Sequence, residues 1–272
     1  MPSQDILLSI NPFHLELIRP LVKWKILSIK ELYEDSNYPA SYKSYHKIIQ
    51  RLEKHEVVGS FKDVWTKSKR LYLTKKGNEL VNPFDWMAHV FNQQNLFHDS
   101  RVTLYLRFLA QNLPVSSVVL EQEKMKIRKK EDFQKIRPDA EFTLRANNKS
   151  ADFILEVELT QKNKERAWEK MKNYKAISEY KNVLFVFPNP TIFECYLQIF
   201  EDHKKEIGRH NYIFALDPGL IKGSPRLDNT KAVYQNKESN LQNVMNEIIG
   251  GMGADPMENI GRLWRKSFEK LF

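Results

Sequence analysis

Between residues 96 and 216 the sequence alternates between helical and strand-like patterns, and this order constrains the fold more than any other feature. LFHDSRVTLYLRFLAQNLP has apolar residues at helical spacing, and VSSVVLE after it has the pattern of a strand. Two strands follow within KIRPDAEFTLRANNKSADFILEVELTQK; next come the helix KNKERAWEKMKNYKAISEY, the strand NVLFVFPN, the helix TIFECYLQIFEDHKKEI and the strand NYIFALD. This order predicts an α/β region (α+β for the whole chain) with a central mixed sheet and flanking helices.

The first third of the chain predicts three helices followed by a basic hairpin. From Pro12 the apolar residues have helical spacing, with Asn11 as the N-cap, and Ser28 begins a second short helix. ASYKSYHKIIQRLEKHEVV predicts the third helix, and VVGSFKDVW and KRLYLTKK predict two strands around a basic turn. A threonine in LYLTKKGNELV is expected to cap a closing helix. This is the order of a winged helix-turn-helix.

A winged helix-turn-helix predicts two contacts with duplex DNA. The front of the third helix would face a major groove, and the hairpin would contact phosphates. The expected DNA-contacting residues are Ser41, Tyr42, Lys43, Ser44, Lys47, Arg51, Lys67, Lys69 and Arg70. A basic face that is only solvated, or a winged helix that contacts only proteins, is the alternative.

The charge of the chain also favours a polyanionic partner. Lys and Arg number 43 against 34 Asp and Glu, which gives a net charge of +9. Residues 1–81 hold 14 of those basic residues and 9 of the acidic ones, a net of +5. Nucleic acid is therefore the leading partner, ahead of an anionic membrane surface. With no run of about eighteen apolar residues and no signal-peptide pattern, we expect a cytoplasmic protein that does not span a membrane.

Three carboxylates are spaced along the two strands of the middle region. In ADFILEVELT, Glu156 and Glu158 share one face of the strand because side chains two residues apart point the same way. Asp139 opens the neighbouring strand and would complete an oxygen-rich cluster of the kind that suits Mg²⁺ or Mn²⁺. The alternative is a half-exposed strand whose acids pair with basic neighbours, for example the loop from Lys124 to Lys130.

These residues resemble the motif of the PD-(D/E)xK nuclease superfamily. Pro138-Asp139 matches the Pro-Asp at the start of one strand, and Glu156-Val157-Glu158 matches the acid-x-Lys of the next, with glutamate in place of lysine. The resemblance implies a restriction-endonuclease-like sheet, and Asp139, Glu156 and Glu158 as catalytic residues and metal ligands. An E-x-E variant occurs among restriction-type members of the superfamily.

A narrower resemblance links the chain to a family of plasmid proteins. RPDAEF, ILEVELTQK, KMKNY and VLFVF are similar to segments of the replication-relaxation family, which includes MobC-type mobilisation relaxases, and the order matches over roughly residues 10–220. That family pairs a winged helix with a PD-(D/E)xK-like domain. The likeness implies recognition of an origin-like element in double-stranded DNA and nicking of one strand.

The lysine that the motif lacks is sought on the helix that follows the strand. At about 100° per residue, Lys170 lies near the edge of the buried side and Lys172 lies toward solvent, so Lys170 is the candidate catalytic residue. The alternative is that both lysines are solvated. Tyr174, which a relaxase hypothesis would use as a nucleophile, falls on the buried side, where packing explains it. His98 is expected to be a core or capping histidine and is a weak candidate for a general base.

Breaks in the pattern predict a winged-helix domain at 1–82, a nuclease-like domain at 83–221, and a linker with C-terminal amphipathic helices at 222–272. The last helix carries Ile260, Leu263, Trp264, Phe268 and Leu271 at amphipathic spacing. It is expected to pack on the parent domain, or to dock a second copy or a partner protein.

Three functions are consistent with the sequence. The first is a plasmid DNA-binding protein with a metal-dependent nicking endonuclease. The second is a replication or transcription regulator that keeps a nuclease fold without activity, and the third is a restriction-type endonuclease that cuts both strands. The sequence leaves the DNA element and the oligomeric state open.

Overall fold

The computed structural model describes residues 11–81, 95–121, 137–146, 148–176, 182–207 and 211–250. The chain divides into two compact units, residues 1–103 and 104–272. The division falls inside one helix, Leu96–Asn112. The predicted domain limits at 82/83 and 221/222 remain predictions.

The first unit builds a small sheet among short helices. Its elements are α1 Pro12–Glu16, α2 Pro20–Trp24, β1 Leu27–Ser28, α3 Ile29–Asp35, α4 Tyr42–Lys54, β2 Val58–Lys62, β3 Lys69–Leu73 and α5 Lys75–Val81, and α6 Leu96–Asn112 begins in it. The three strands are antiparallel in the order β1-β3-β2.

Local hydrogen bonds explain where the helices of the first unit begin. The Asn11 side chain accepts from the backbone N–H of Phe13 (2.9 Å), directly before the proline that opens α1. Ser28 and Glu31 form a reciprocal capping box at α3. Thr74 accepts from the N–H of Gly77 (3.0 Å) and so caps α5. The predicted starts at Asn11, Ser28 and the threonine are confirmed.

The first predicted helix is wrong in its length. The pattern from Pro12 predicts one continuous helix up to Ser28, but the structure has α1 and α2 separated by a turn at residues 17–19. Pro20 causes the break, because a proline inside a helix removes one N–H donor and its ring clashes with the carbonyl four residues earlier. The proline instead occupies the first position of α2, where its missing N–H costs nothing.

The second unit contains a seven-stranded mixed sheet. After α6 come β4 Val115–Leu120, β5 Ala140–Ala146, β6 Lys149–Val157, α7 Lys164–Ala176, β7 Asn182–Phe187, α8 Pro190–Ile207, β8 Asn211–Leu216, α9 Gly219–Lys222, β9 Lys231–Tyr234, β10 Lys237–Asn240 and α10 Leu241–Ile248. The strand order is β10-β9-β8-β7-β6-β5-β4. The pairs β6–β7 and β7–β8 are parallel and the others are antiparallel. The mixed α+β architecture predicted from the alternating pattern is confirmed.

Apolar packing fixes α7 and α8 on one face of this sheet. One core cluster joins side chains of β6, β7 and β8 to the buried faces of the two helices: Ile154, Ala167, Met171, Tyr174, Val183, Phe185, Phe187, Ile192, Phe193, Tyr196, Ile199, Tyr212 and Phe214. Helices are the usual connection between parallel strands, since the crossover must return to the edge at which the first strand began. The strand that carries the acids therefore lies beneath a helical layer.

The segment after Asp217 corrects the predicted linker. The sequence predicts a linker from residue 222, but β9 and β10 extend the central sheet, and α10 packs against both strands. The turn between them places Gln235 and Asn236 at φ of 49° and 63°. Two consecutive positive φ angles characterise the type I′ turn that joins tight hairpins. The predicted C-terminal docking helix lies outside the described residues.

Candidate active site

Two buried glutamates stand at the carboxyl end of β6. Glu156 is fully buried within the strand, and Glu158, one residue beyond it, is also buried. The backbone N–H of Glu158 donates to the carbonyl of Val186 (3.0 Å), so the parallel pairing with β7 continues past the end of the strand. The acids lie under the layer formed by α7 and α8, which differs from the half-exposed strand considered from sequence.

Lys170 of α7 bridges the two glutamates. Its Nζ lies 2.5 Å from Glu156 Oε2 and 2.7 Å from Glu158 Oε1. The Lys170 side chain is 18% exposed, so both ion pairs are largely removed from solvent. A charge-assisted hydrogen bond in such surroundings is stronger than a neutral one. The structure therefore places Lys170 at the acids, as its position on the helix predicted.

Further polar groups complete the shell of the two glutamates. Lys162 Nζ contacts both carboxylate oxygens of Glu158, at 2.8 and 2.7 Å. The Tyr174 hydroxyl donates to Glu156 Oε1. Tyr196 of α8 is buried nearby, and burial together with the Glu158 carboxylate raises the pKa of its hydroxyl. Tyr174 is buried as predicted, but it also binds an acid.

Asp139 joins the cluster from the start of β5. Its Oδ2 accepts a hydrogen bond from the backbone N–H of Val157 (2.7 Å), which lies between the two glutamates. Its charge acts on both Glu156 and Lys170. The antiparallel register explains this approach, since β5 residue Ala140 pairs with Leu155 on β6. All three predicted acids and Lys170 are thus brought together, and we call Asp139, Glu156, Glu158, Lys162 and Lys170 the carboxylate cluster.

Burial and charge shift the ionisation of the cluster. Burial raises the pKa of Glu156 well above its usual value, and the neighbouring carboxylates of Asp139 and Glu158 add to the rise against the opposing effect of Lys170. Burial alone would lower the pKa of Lys170, but Glu156, Asp139 and Glu158 raise it well above its ordinary value. Lys170 is therefore held as an ammonium ion among the carboxylates.

The carboxylate oxygens of the carboxylate cluster are suitable ligands for a divalent ion, but in this structure they bind lysine ammonium groups. Carboxylate oxygens are the ligands that Mg²⁺ and Mn²⁺ prefer. In this conformation the Lys170 ammonium lies between Glu156 and Glu158. The described residues contain no group of three or more His, Cys, Asp or Glu arranged to hold a metal ion. The basic loop at Lys124–Lys130 lies outside the described residues.

The residues predicted to contact DNA lie on α4 and on the hairpin of the first unit. Ser41 caps α4 by accepting from the N–H of Ser44 (3.3 Å). Ser41, Tyr42, Lys43, Lys47, Arg51, Lys67 and Lys69 are exposed, and Ser44 is partly buried. Lys67 Nζ donates to the carbonyl of Val64, and Lys69 Nζ lies 2.7 Å from Glu53. Eight of the nine predicted side chains therefore reach the surface of this unit.

Arg70 requires a correction. Its side chain is buried, and its guanidinium donates to Glu31 Oε2 at 2.7 Å. Glu31 is also the acid of the capping box at α3, so Arg70 ties the hairpin to that helix. Because the guanidinium is engaged in the interior, Arg70 does not offer a phosphate contact in this conformation.

The histidine considered as a general base lies in the first unit, away from the carboxylate cluster in sequence. The His98 ring is partly exposed, and its Nδ1 is 3.6 Å from Asp99 Oδ1.

Sequence reasoning missed Lys162 and Tyr196. Lys162 lies in the loop after β6, where spacing does not predict a contact, and Tyr196 on a separate helix gives no local signal either.

Comparison with protein-family models, with curated proteins and with solved structures gives no match to this chain. Within the described residues, no helix combines the length and the apolar content that crossing a membrane requires.

Proposed function

We propose that this protein binds double-stranded DNA through its first unit and hydrolyses a phosphodiester bond at the carboxylate cluster, nicking one strand. The convergence of Asp139, Glu156 and Glu158 on the single ammonium of Lys170 carries the proposal. Structural ion pairs usually match one acid with one base. Here two glutamates share the ammonium of Lys170, Asp139 acts on it by its charge, and Lys162 binds Glu158 as well. The Pro138-Asp139 and Glu156-Val157-Glu158 pattern resembles those of the PD-(D/E)xK superfamily and the replication-relaxation family, with glutamate in place of the lysine.

Each residue of the cluster has a role in this proposal. Asp139, Glu156 and Glu158 would hold Mg²⁺ or Mn²⁺, which in such sites activates water and stabilises the charge that develops on phosphate. Lys170, released from one of its carboxylates, would contact the phosphate and neutralise its negative charge. Val157 fixes Asp139 by its backbone N–H, so the aspartate stays in place when the lysine moves.

The first unit supports the DNA-binding half of the proposal. It carries an exposed basic helix and a basic hairpin, in the order of a winged helix-turn-helix. Lys43, Lys47 and Arg51 are exposed on the same helix, where each would replace condensed counterions at a phosphate. Binding by these residues is expected to weaken steeply with salt.

Nicking of supercoiled plasmid DNA in the presence of Mn²⁺ tests the catalytic half. Asp139→Asn keeps an oxygen that accepts from Val157 but removes the charge, so nicking should be abolished while the fold and DNA binding persist. Glu156→Gln should have the same effect. Glu169→Ala, at an exposed position beside Lys170, is the matched control. Unchanged nicking in Asp139→Asn would sink the assignment, and linear rather than nicked product would favour an enzyme that cuts both strands.

A specific observation favours a second candidate, a DNA-binding replication or transcription regulator with no catalysis. Lys170, Lys162 and Tyr174 already satisfy the two glutamates, as a purely structural network requires. Calorimetric titration with Mn²⁺ separates the candidates. Binding that is lost in Asp139→Asn supports the nuclease, and absence of binding in the wild type supports the regulator.

A further inference from the structure

The turn between β2 and β3, residues 63–68, presents two apolar side chains to solvent. Val64 is 48% exposed and Trp65 is 38% exposed. A tight turn normally carries small or polar residues, because nothing covers it. These two side chains are therefore unusual at this place, and neither belongs to the predicted DNA contacts.

Buried hydrogen bonds hold this turn in one conformation. Asp63 is fully buried, and its Oδ1 accepts from the N–H groups of Trp65 and Thr66, both at 2.9 Å. Its Oδ2 accepts from the buried guanidinium of Arg101. The backbone closes the loop from Asp63 to Ser68 (2.9 Å). The exposed pair is thus presented by a rigid support, which lowers the entropy lost on binding.

Trp65 itself is supported from beneath. The Arg101 guanidinium lies 5.0 Å from the centre of its ring, and Phe97 meets the ring edge-on at 6.1 Å. A cation against an indole face stabilises the ring's position. The ring is therefore held in position while 38% of the residue stays exposed.

The surface around the apolar pair is positively charged. Lys62 and Lys67 are exposed on the strand and turn, and Lys69 is exposed too but is paired with Glu53. Asp63 is the acid of this stretch, and it is buried against Arg101, so its charge is compensated in the interior. An exposed apolar pair with lysines beside it is complementary to a polyanion that also exposes apolar surfaces. Stacked bases between two phosphate strands have this chemistry.

We propose that the Val64–Trp65 turn is a wedge that enters the minor groove of duplex DNA and unstacks one base step. The inference rests on DNA binding by the first unit, as in the proposed function, and adds a deformation of the duplex to it. Lys62 and Lys67 contact the flanking phosphates while Val64 and Trp65 lie against the opened step. Pyrimidine–purine steps are the expected targets, since they unstack most easily.

Fluorescence of a short duplex with 2-aminopurine at every TA step tests the wedge. The measurement is made with the full-length protein and EDTA, so that cleavage does not contribute. Wild-type protein should raise the emission several-fold at saturation. Val64→Ala/Trp65→Ala should leave the emission at the level of free duplex and weaken binding roughly tenfold, the effect of about one lost stacking contact. Trp65→Phe should retain part of the rise.

A charge variant serves as the control. Lys62→Ala should weaken binding and reduce the salt slope by about one, yet reach the same emission at saturation. Circular dichroism checks that each variant is folded. Binding of the wild type without a rise in emission overturns the wedge and leaves DNA binding intact. Failure to bind duplex overturns both, whereas loss of nicking alone affects only the carboxylate cluster. A double variant with unchanged emission would also overturn the wedge.

Discussion

The two units each bury carboxylate against basic side chains, but they do so with different balances of charge. In the first unit one acid, Asp63, meets one guanidinium, and its other oxygen is held by two backbone N–H groups. In the second unit Asp139, Glu156 and Glu158 face the ammonium groups of Lys170 and Lys162. The first arrangement is a closed pair, in which each charge has one opposite partner. The second arrangement has three acids and two bases.

The difference separates a structural ion pair from a candidate reactive site. A closed pair fixes a turn, and its replacement by apolar residues of similar shape is often neutral for stability. A cluster with surplus acid is costly unless another cation arrives. Asp139 is the third acid beside two ammonium groups, and burial raises the pKa of Glu156, whereas Asp63 and Arg101 balance each other and hold the exposed turn in place.

Removal of Lys170 should have the largest effect. In Lys170→Met both glutamates lose their shared cation, and we expect the free energy of unfolding in urea to fall by roughly 4 kcal/mol. Adding Glu156→Gln should recover much of the loss, because one uncompensated charge disappears. Lys172→Met, at an exposed position of the same helix, is the control. If Lys170→Met were as stable as the control, the ion pairs of Lys170 would contribute little to the free energy of unfolding. The contrast between the carboxylate cluster and the Asp63–Arg101 pair would then be wrong.

Removal of Arg101 should cost somewhat less. Asp63 keeps its two backbone hydrogen bonds in Arg101→Met, so part of its charge remains satisfied, and we expect a loss of about 3 kcal/mol. Urea unfolding measures the change. Asp63→Asn combined with Arg101→Met should be more stable than Arg101→Met alone. If the double variant were less stable than Arg101→Met, the charge of Asp63 would not depend on Arg101 for its compensation.

Another buried carboxylate, Asp217, provides a test by pH. Its Oδ1 accepts from the N–H of Gly219 (2.9 Å), and burial raises its pKa above the ordinary value of 3.8. Around and above pH 3.8 the Asp217 carboxyl of the folded state therefore keeps its proton more often than that of the unfolded state. The contribution of Asp217 to the free energy of unfolding therefore falls as the pH rises through the raised pKa. Asp217→Asn should remove this decline and stabilise the protein by about 1 kcal/mol near neutral pH. Identical pH profiles for the two proteins would contradict the prediction.

Lys162 should contribute least. Its side chain is 26% exposed in the loop after β6, so solvent partly screens its charge from the buried Glu158. Lys162→Met should lower stability by about 0.5 kcal/mol, with Lys164→Met as the exposed control in the thermal unfolding measurement. A loss as large as that of Lys170→Met would show that both lysines belong equally to the cluster.

The sequence predicts the elements of the second unit up to Leu216 because each has a clear period. It does not predict β9 and β10, since their turn uses Gln235 and Asn236 rather than the Asn-Gly that marks such hairpins. Helical spacing hides the break at Pro20, where a single proline outweighs the apolar pattern.

The acids and Lys170 could be predicted because strand alternation and helical phase are local properties. Arg70 could not, because its partner Glu31 lies 39 residues away and is already committed to a helix cap. The same limit applies to Tyr196, which reaches the cluster from α8. Pairings between distant segments depend on the fold, and the period of either segment contains no information about them.

The carboxylate cluster has a further consequence for the order in which the second unit folds. Glu156, Lys170 and Tyr174 lie on one strand and the helix directly after it, 14 and 18 residues apart. Closing so short a loop takes little chain entropy, and contacts of low sequence separation form quickly. We expect β6 and α7 to associate early in folding, so substitutions at Lys170 should slow refolding more than they speed unfolding.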